Sequence, residues 1–331
     1  AEARPAGLPC LVGRALIVLG RMARKSGDGD VGLVALEEAL QVAEQRADCH
    51  LLTAARLETL WSLVQAGRLA EADVLARRVL TTRDAEPSQI AEARYAVATL
   101  AWRRGRIHQA ELYGEAAFSG YREAGARTGM AHAACLLGDV ARARGAHGTA
   151  RDRYHEGLAL LDAAGGGGRG LVLCNLGQTW LAQDDRVAAR AAFIEARQEA
   201  ARGTDRELRA VVDFFLLVCD ALAGRWRACD GRAGVFLVLR DQTPEADVVA
   251  QAPALARMAE AAGSARVADA AWNLAEQWLF ALGRDAEARA IQAERLTASQ
   301  ARARGLFVRP PTREPSLPPL PRRSEPPKPM K

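Results

Sequence analysis

No CxxC pair occurs in this 331-residue sequence, and aromatic residues make up only 5% of it. The longest apolar runs, Ala15–Leu19 and Phe214–Cys219, fall far short of the ~20 apolar residues that a spanning helix needs. A transmembrane reading is therefore excluded. Arg14, Arg21, Arg24 and Lys25 lie within or after the first apolar stretch, so the basic-then-apolar order of a signal peptide is missing as well. Scarce aromatics and β-branched residues argue against sheets. Lys25 is the only lysine before residue 301, and neither an HRD-type catalytic loop nor a DFG occurs, which removes phosphoryl transfer by this chain.

Ala and Leu dominate, and both are strong helix formers. The net charge of +5 is misleading, because from Ala301 onward the chain carries eight Lys or Arg against two Glu. The body is thus close to neutral, which gives no support for nucleic-acid binding by the folded part. Residues 305–331 hold nine of the fourteen prolines, a density that favours extended, solvated chain. Within them, Leu317-Pro-Pro-Leu-Pro-Arg322 has the form of a Pro-rich ligand for an SH3-like aromatic groove.

The body repeats. Leu137-Gly138 is followed by Ala150 and Tyr154, and Leu176-Gly177 by Ala189 and Phe193 at the same offsets. The same frame pairs Leu60 with Ala72 and Ala98 with Ala110. These anchor alanines are 38, 40 and 39 residues apart. A period this steady marks stacked two-helix units. Helices crossing closely need small residues at the crossing, so Gly138 and Gly177 are expected to face Ala150 and Ala189. Trp180, Tyr154 and Phe193 are expected to fill the space between units. Gly67, Gly105, Gly145 and Asp184 stand where a left-handed helix cap belongs. An earlier unit pairs Gly20 with Ala35–Leu40 across a longer turn, SGDGDVG. Later the frame slips: Cys229 serves as an anchor, and Thr243-Pro244 reads as an N-cap with Pro at N1, opening an extra helix over 244–262 before a last pair at 265–282 and 284–303. About seven helix pairs and fifteen helices in all are expected over residues 1–304.

The pattern LG-x2-aromatic followed by A-x3-aromatic resembles the tetratricopeptide repeat, in the longer form found in kinesin light chains and in bacterial regulators of the maltose-activator type. The resemblance implies an all-α, right-handed superhelical solenoid of antiparallel helix pairs, with the first helix of each pair lining a concave groove. Carried over position by position, the family's groove residues are Glu92, Tyr95, Thr99 and Trp102, then His132, Cys135, Asp139 and Arg142, then Leu171, Cys174, Gln178 and Leu181. Asn175 matches a position where the family holds a peptide backbone or terminal carboxylate; the lysines of that clamp are absent here. The implied partner is a protein or peptide. Leu171–Ala196 (LVLCNLGQTWLAQDDRVAARAAFIEA) and Ala271–Leu296 (AWNLAEQWLFALGRDAEARAIQAERL) also resemble the repeat regions that follow the kinase domain in large bacterial serine/threonine kinases. That implies a cytoplasmic sensor or scaffold, part of a longer protein.

Other motifs weigh little. Gly27–Gly32 matches GxGxxG, yet its flanks read as helix and Asp28 and Asp30 repel phosphate. In the P-loop-like Gly20–Ser26, Arg24 stands where the second Gly must be. His132, Cys135 and Cys174 lack a fourth metal ligand. Glu37-Glu38 and Asp184-Asp185 read as solvated charges near helix ends, and Gly165–Gly168 as an inter-repeat turn. No catalytic constellation, metal or cofactor is expected, and the six dispersed cysteines suit a reduced setting.

Overall fold

The computed structural model describes residues 4–304, except 166 and 204. The tail 305–331 and its Pro-rich motif lie outside these residues. Sixteen helices and no strand occur among the described residues. They are α1 (Arg4–Ser26), α2 (Gly29–Gln45), α3 (Cys49–Gln65), α4 (Leu69–Leu80), α5 (Pro87–Arg103), α6 (Ile107–Glu123), α7 (Arg127–Ala143), α8 (His147–Ala164), α9 (Arg169–Ala182), α10 (Arg186–Arg202), α11 (Arg206–Leu222), α12 (Trp226–Arg232), α13 (Val235–Arg240), α14 (Ala246–Ala261), α15 (Ala265–Ala281) and α16 (Asp285–Ala303). None is long and apolar enough to cross a membrane.

Tight turns join the helices. Gly67 takes φ +75°, so its amide reaches Val64 O at 3.3 Å and the next amide, of Arg68, reaches Leu63 O at 2.9 Å. This 5→2 and 6→1 pairing satisfies the orphan carbonyls of a helix end and reverses the chain. It recurs at Gly105, Gly145 and, with an aspartate in the left-handed position, at Asp184 (φ +59°). All four positions read from sequence are thus left-handed caps. Ala47 takes the same conformation at φ +51°, with no glycine to advertise it.

The described residues divide into two compact units. The first holds α1–α6, α7 up to Val140 and α8 from His155. There α1 packs on α2 and α3, α3 on α4 and α5, and α5 on α6. Its core falls into successive apolar clusters: Ile17, Leu36, Ala39 and Leu51; then Leu60, Leu63, Ala72, Ala96 and Leu100; then Ala91, Phe118, Tyr121 and Leu137. Each cluster draws on neighbouring helices alone, as stacked repeats require. The second unit holds α7 from Ala141, α8 up to Tyr154 and α9–α16. There α10 packs on α9 and α11, α11 on α12, α13 and α14, and α15 on α14 and α16.

The anchor alanines Ala72, Ala110, Ala150 and Ala189 are fully buried, as are Tyr154 and Phe193. The partner of Gly177 differs from the expectation. A Cβ there would come within 2.7 Å of the Phe193 ring, so the missing side chain makes room for an aromatic one turn beyond Ala189. Other expectations also shift. Gly27 and Asp28 alone separate α1 from α2, because the rest of SGDGDVG is helical. Glu37 and Glu38 are exposed in the middle of α2 rather than near its end. The stretch around Cys229 forms two short helices, α12 and α13, which raises the count to sixteen. The extra helix α14 begins at Ala246 with Glu245 as its N-cap, so Pro244 precedes the helix instead of opening it. α14 also holds Pro253 in its interior, where the ring removes an amide. Burial of Val248, Val249, Ala252 and Leu255 holds the helix across that gap.

Candidate functional site

The candidates lie on the first helices of the pairs, and the two units treat them differently. In the first unit α3, α5 and α7 supply a contiguous row. Trp61 of α3 donates from Nε1 to Glu92 Oε1 of α5 at 2.8 Å. Its ring lies 5.5 Å from that of Tyr95, tilted by 43°. On the other side, the His132 ring of α7 stacks on Tyr95 at 6.2 Å and 23°. Tyr121 meets Tyr95 edge-on at 6.5 Å. Such tilted and edge arrangements suit the ring quadrupoles. Glu92 and Tyr95 share a face of α5 because they are three residues apart, and Trp61 stands at the matching level of α3.

Beside this row, buried Glu58 accepts from Arg21 Nε at 2.6 Å and from an Arg24 terminal nitrogen at 3.3 Å. Glu92 takes neither arginine, and Trp61 is its one hydrogen-bond partner among the described residues. Burial raises the Glu92 pKa, with the Glu58 charge adding to the rise, against the lowering effects of the Trp61 hydrogen bond and, at longer range, of Arg21 and Arg24. Desolvation lowers that of His132, although the residue keeps part of its surface exposed. Burial pushes the Cys135 thiol up to about 12, with Asp139 adding to the rise. That thiol stays protonated and is a poor nucleophile.

Glu92, Tyr95 and His132 are thus brought together, with Cys135 and Asp139 half-buried further along α7. Thr99 spends its hydroxyl on Tyr95 O of its own helix at 2.9 Å. Trp102 is buried among core residues, so it is not presented to a ligand. Sequence reasoning missed Trp61, which the same frame finds one unit earlier, next to Leu60. Glu58, Arg21 and Arg24 carried no signal, since their pairing spans 34 to 37 residues.

In the second unit the corresponding residues are engaged by the chain itself. Arg142 donates to Gln178 Oε1 at 2.9 Å and to Asp247 Oδ2 at 3.1 Å. Asp247 lies in the first turn of α14. The Arg142 and Asp247 side chains are only 10% and 15% exposed, so this ion pair is largely sealed from water. Gln178 is buried and donates from Nε2 to Cys174 Sγ at 3.7 Å. Burial pushes the Cys174 thiol up to about 12. Leu181 is buried, Asn175 half-buried and Leu171 exposed. A cavity of about 630 Å³ elsewhere in this unit is floored by Phe236, Leu274 and Phe280. Its rim pairs internally, Arg295 with Glu276 at 3.2 Å and Gln277 Nε2 with Arg240 O at 3.1 Å.

The phosphate-binding motifs find no support in this geometry. Gly20–Ser26 lies inside α1, and Gly27–Gly32 straddles a turn and the start of α2. Among the described residues no three His, Cys, Asp or Glu side chains gather as metal ligands, and all six cysteines are free.

The architecture is that of a tetratricopeptide-like helical-repeat protein. Solved structures with this fold include RapI in its apo form, at 13% identity over 85% of this chain and 99% of that one, with a TM-score of 0.62. Aspartyl phosphate phosphatase F from Bacillus subtilis matches at 12% identity over 90% of this chain and 72% of that one, with a TM-score of 0.57. A Rap protein complexed with competence and sporulation factor matches at 9% identity over 88% and 98%, with a TM-score of 0.52. No protein-family profile and no curated protein sequence matches the chain.

Proposed function

We propose that the chain is a protein-interaction module whose first unit holds a peptide or protein segment along Trp61, Glu92, Tyr95 and His132. One observation carries this reading: three successive first-of-pair helices present aromatic and polar side chains in one contacting row that the core leaves partly open. Side chains of this kind supply large contact area at low conformational cost. The complex of a Rap protein of the same fold with competence and sporulation factor supports a binding role by analogy. The finer proposal is that the module serves as the recruitment or regulatory part of a bacterial serine/threonine kinase, with the chain itself binding rather than catalysing.

An arrayed peptide library probed with the full chain tests the first claim. Trp61→Ala combined with Tyr95→Ala should lower capture at least tenfold while helicity by circular dichroism is retained. Unchanged capture by that variant moves the site elsewhere. For the second claim, the reading frame upstream of Ala1 should encode HRD and DFG motifs. A P-loop ATPase there would assign the module to a maltose-activator-type regulator instead.

A further inference from the structure

We infer that the site selects ligands through a basic side chain, an arginine or lysine that pairs with Glu92 beside the Trp61 ring. This deepens the peptide-binding reading above and rests on it. The two acids of the row are treated unequally. Glu58 already has its counter-charges, Arg21 at 2.6 Å and Arg24 at 3.3 Å. Glu92 accepts only the neutral Trp61 Nε1–H, through Oε1. Its second oxygen has no hydrogen-bond partner among the described residues. Arg21 and Arg24 act on Glu92 only at longer range, and a half-buried carboxylate with no cation in hydrogen-bond contact carries an electrostatic cost that a charged donor would reduce. The surroundings favour a cation in particular. Trp61 lies against Glu92 from α3, and Tyr95 stands one turn further along α5, their rings 5.5 Å apart. Trp61 and His132 cover Tyr95, so Trp61 is the ring a ligand would meet. An aromatic ring beside a carboxylate suits guanidinium and ammonium groups, with the ring quadrupole and the formal charge acting in the same sense. His132, whose ring closes the far side of Tyr95, is held toward its neutral form by desolvation and so adds no repelling charge. An acidic ligand group would meet Glu92 as a like charge, and would have to compete with Glu58 for Arg21 and Arg24.

The test uses the full chain and the strongest-binding peptides of the array, resynthesised with each arginine replaced in turn by citrulline, which keeps the shape and removes the charge. One such replacement should weaken binding to the native chain about tenfold. With Glu92→Gln, whose amide oxygen can still accept from Trp61, the same replacement should change affinity less than twofold. An equal loss in both proteins would place the basic residue against another surface and overturn the inference. So would tight peptides without a basic residue, or tighter binding when arginine is replaced by glutamate. Both of those outcomes leave the peptide-binding reading standing. Capture of no peptide of any class by the folded chain is the separate result that removes the peptide-binding reading itself.

Discussion

The two units share a repeat but not the fate of its exposed face. In the first, Trp61, Glu92, Tyr95 and His132 touch one another and stay partly open. In the second, Gln178 occupies the repeat position of Trp61 and Arg142 that of the buried Trp102; Asp247 of the extra helix binds Arg142, and the amide of Gln178 is buried. Register in a helical repeat therefore tells which side chains lie on a face. It does not tell whether the face is free. One inserted helix, absent from the repeat pattern, converts candidate ligand contacts into internal structure.

The sharpest way to break this contrast is to remove the plug's charge. Asp247→Ala takes one charged hydrogen-bond partner from Arg142 in a site that excludes most water. We expect a loss of about 2 kcal/mol, the worth of one largely buried charged hydrogen bond. Asp247→Asn, whose amide oxygen still accepts, should lose less. Thermal melts with hydrogen exchange across α9 and α14 would locate the damage. A loss below about 0.5 kcal/mol would mean that apolar burial alone seats α14, and the Asp247 pair would then count for little.

A second test asks whether both units obey the same packing rule. A Cβ at Gly20 would come within 2.5 Å of Leu36, and one at Gly177 within 2.7 Å of Phe193. Leucine at either position should cost about 2 kcal/mol through overpacking. Gly148, with open space around it, should accept alanine without loss. A tolerated Gly177→Leu would show that the Phe193 ring can move aside, and the crossing in the second unit would be looser than in the first. Smaller still is the effect of the two left-handed residues that are not glycine. Ala47→Gly in the first unit and Asp184→Gly in the second should each gain about 0.5–1 kcal/mol, since glycine adopts φ +51° or +59° without the Cβ penalty.

These residues also show what was legible beforehand. The caps at Gly67, Gly105, Gly145 and Asp184 and the burial of all four anchor alanines follow from local rules that act within one helix pair. Hence the repeat, its period and the helical class could be read directly. The site was legible only in part. Glu92, Tyr95 and His132 come from the repeat frame, and Trp61 is available from the same frame one unit earlier. The clasp on Arg142 is not, because Asp247 lies 105 residues away and no local pattern ties the two. Pro253 inside α14 and the break between α12 and α13 likewise depend on tertiary packing that overrides propensity.

Glu92 offers the finest probe of the open face, because its charge is held there without a hydrogen-bonded cation, Arg21 and Arg24 acting on it only at longer range. Its folded pKa is raised above the ordinary 4.5, chiefly by burial, so the folded state favours the protonated form. Stability from this group is therefore present below about pH 4.5 and is lost as pH rises through the higher folded value. Glu92→Gln mimics the neutral form at every pH, and it should stabilise the chain at pH 7 with a gain that fades on acidification toward pH 4. His132 works in the opposite sense. Its folded pKa lies below 6.5, so the unfolded chain takes up the proton first and stability falls as pH drops through and below that range. In His132→Gln that part of the acid loss should vanish, while the Glu92 effect remains. Melts of both variants and of the double variant between pH 4 and 8 separate the two contributions. A Glu92→Gln gain that did not change with pH would mean the carboxylate is solvated in the folded chain, and the open face would then lack the unpaired charge that distinguishes it from its plugged counterpart.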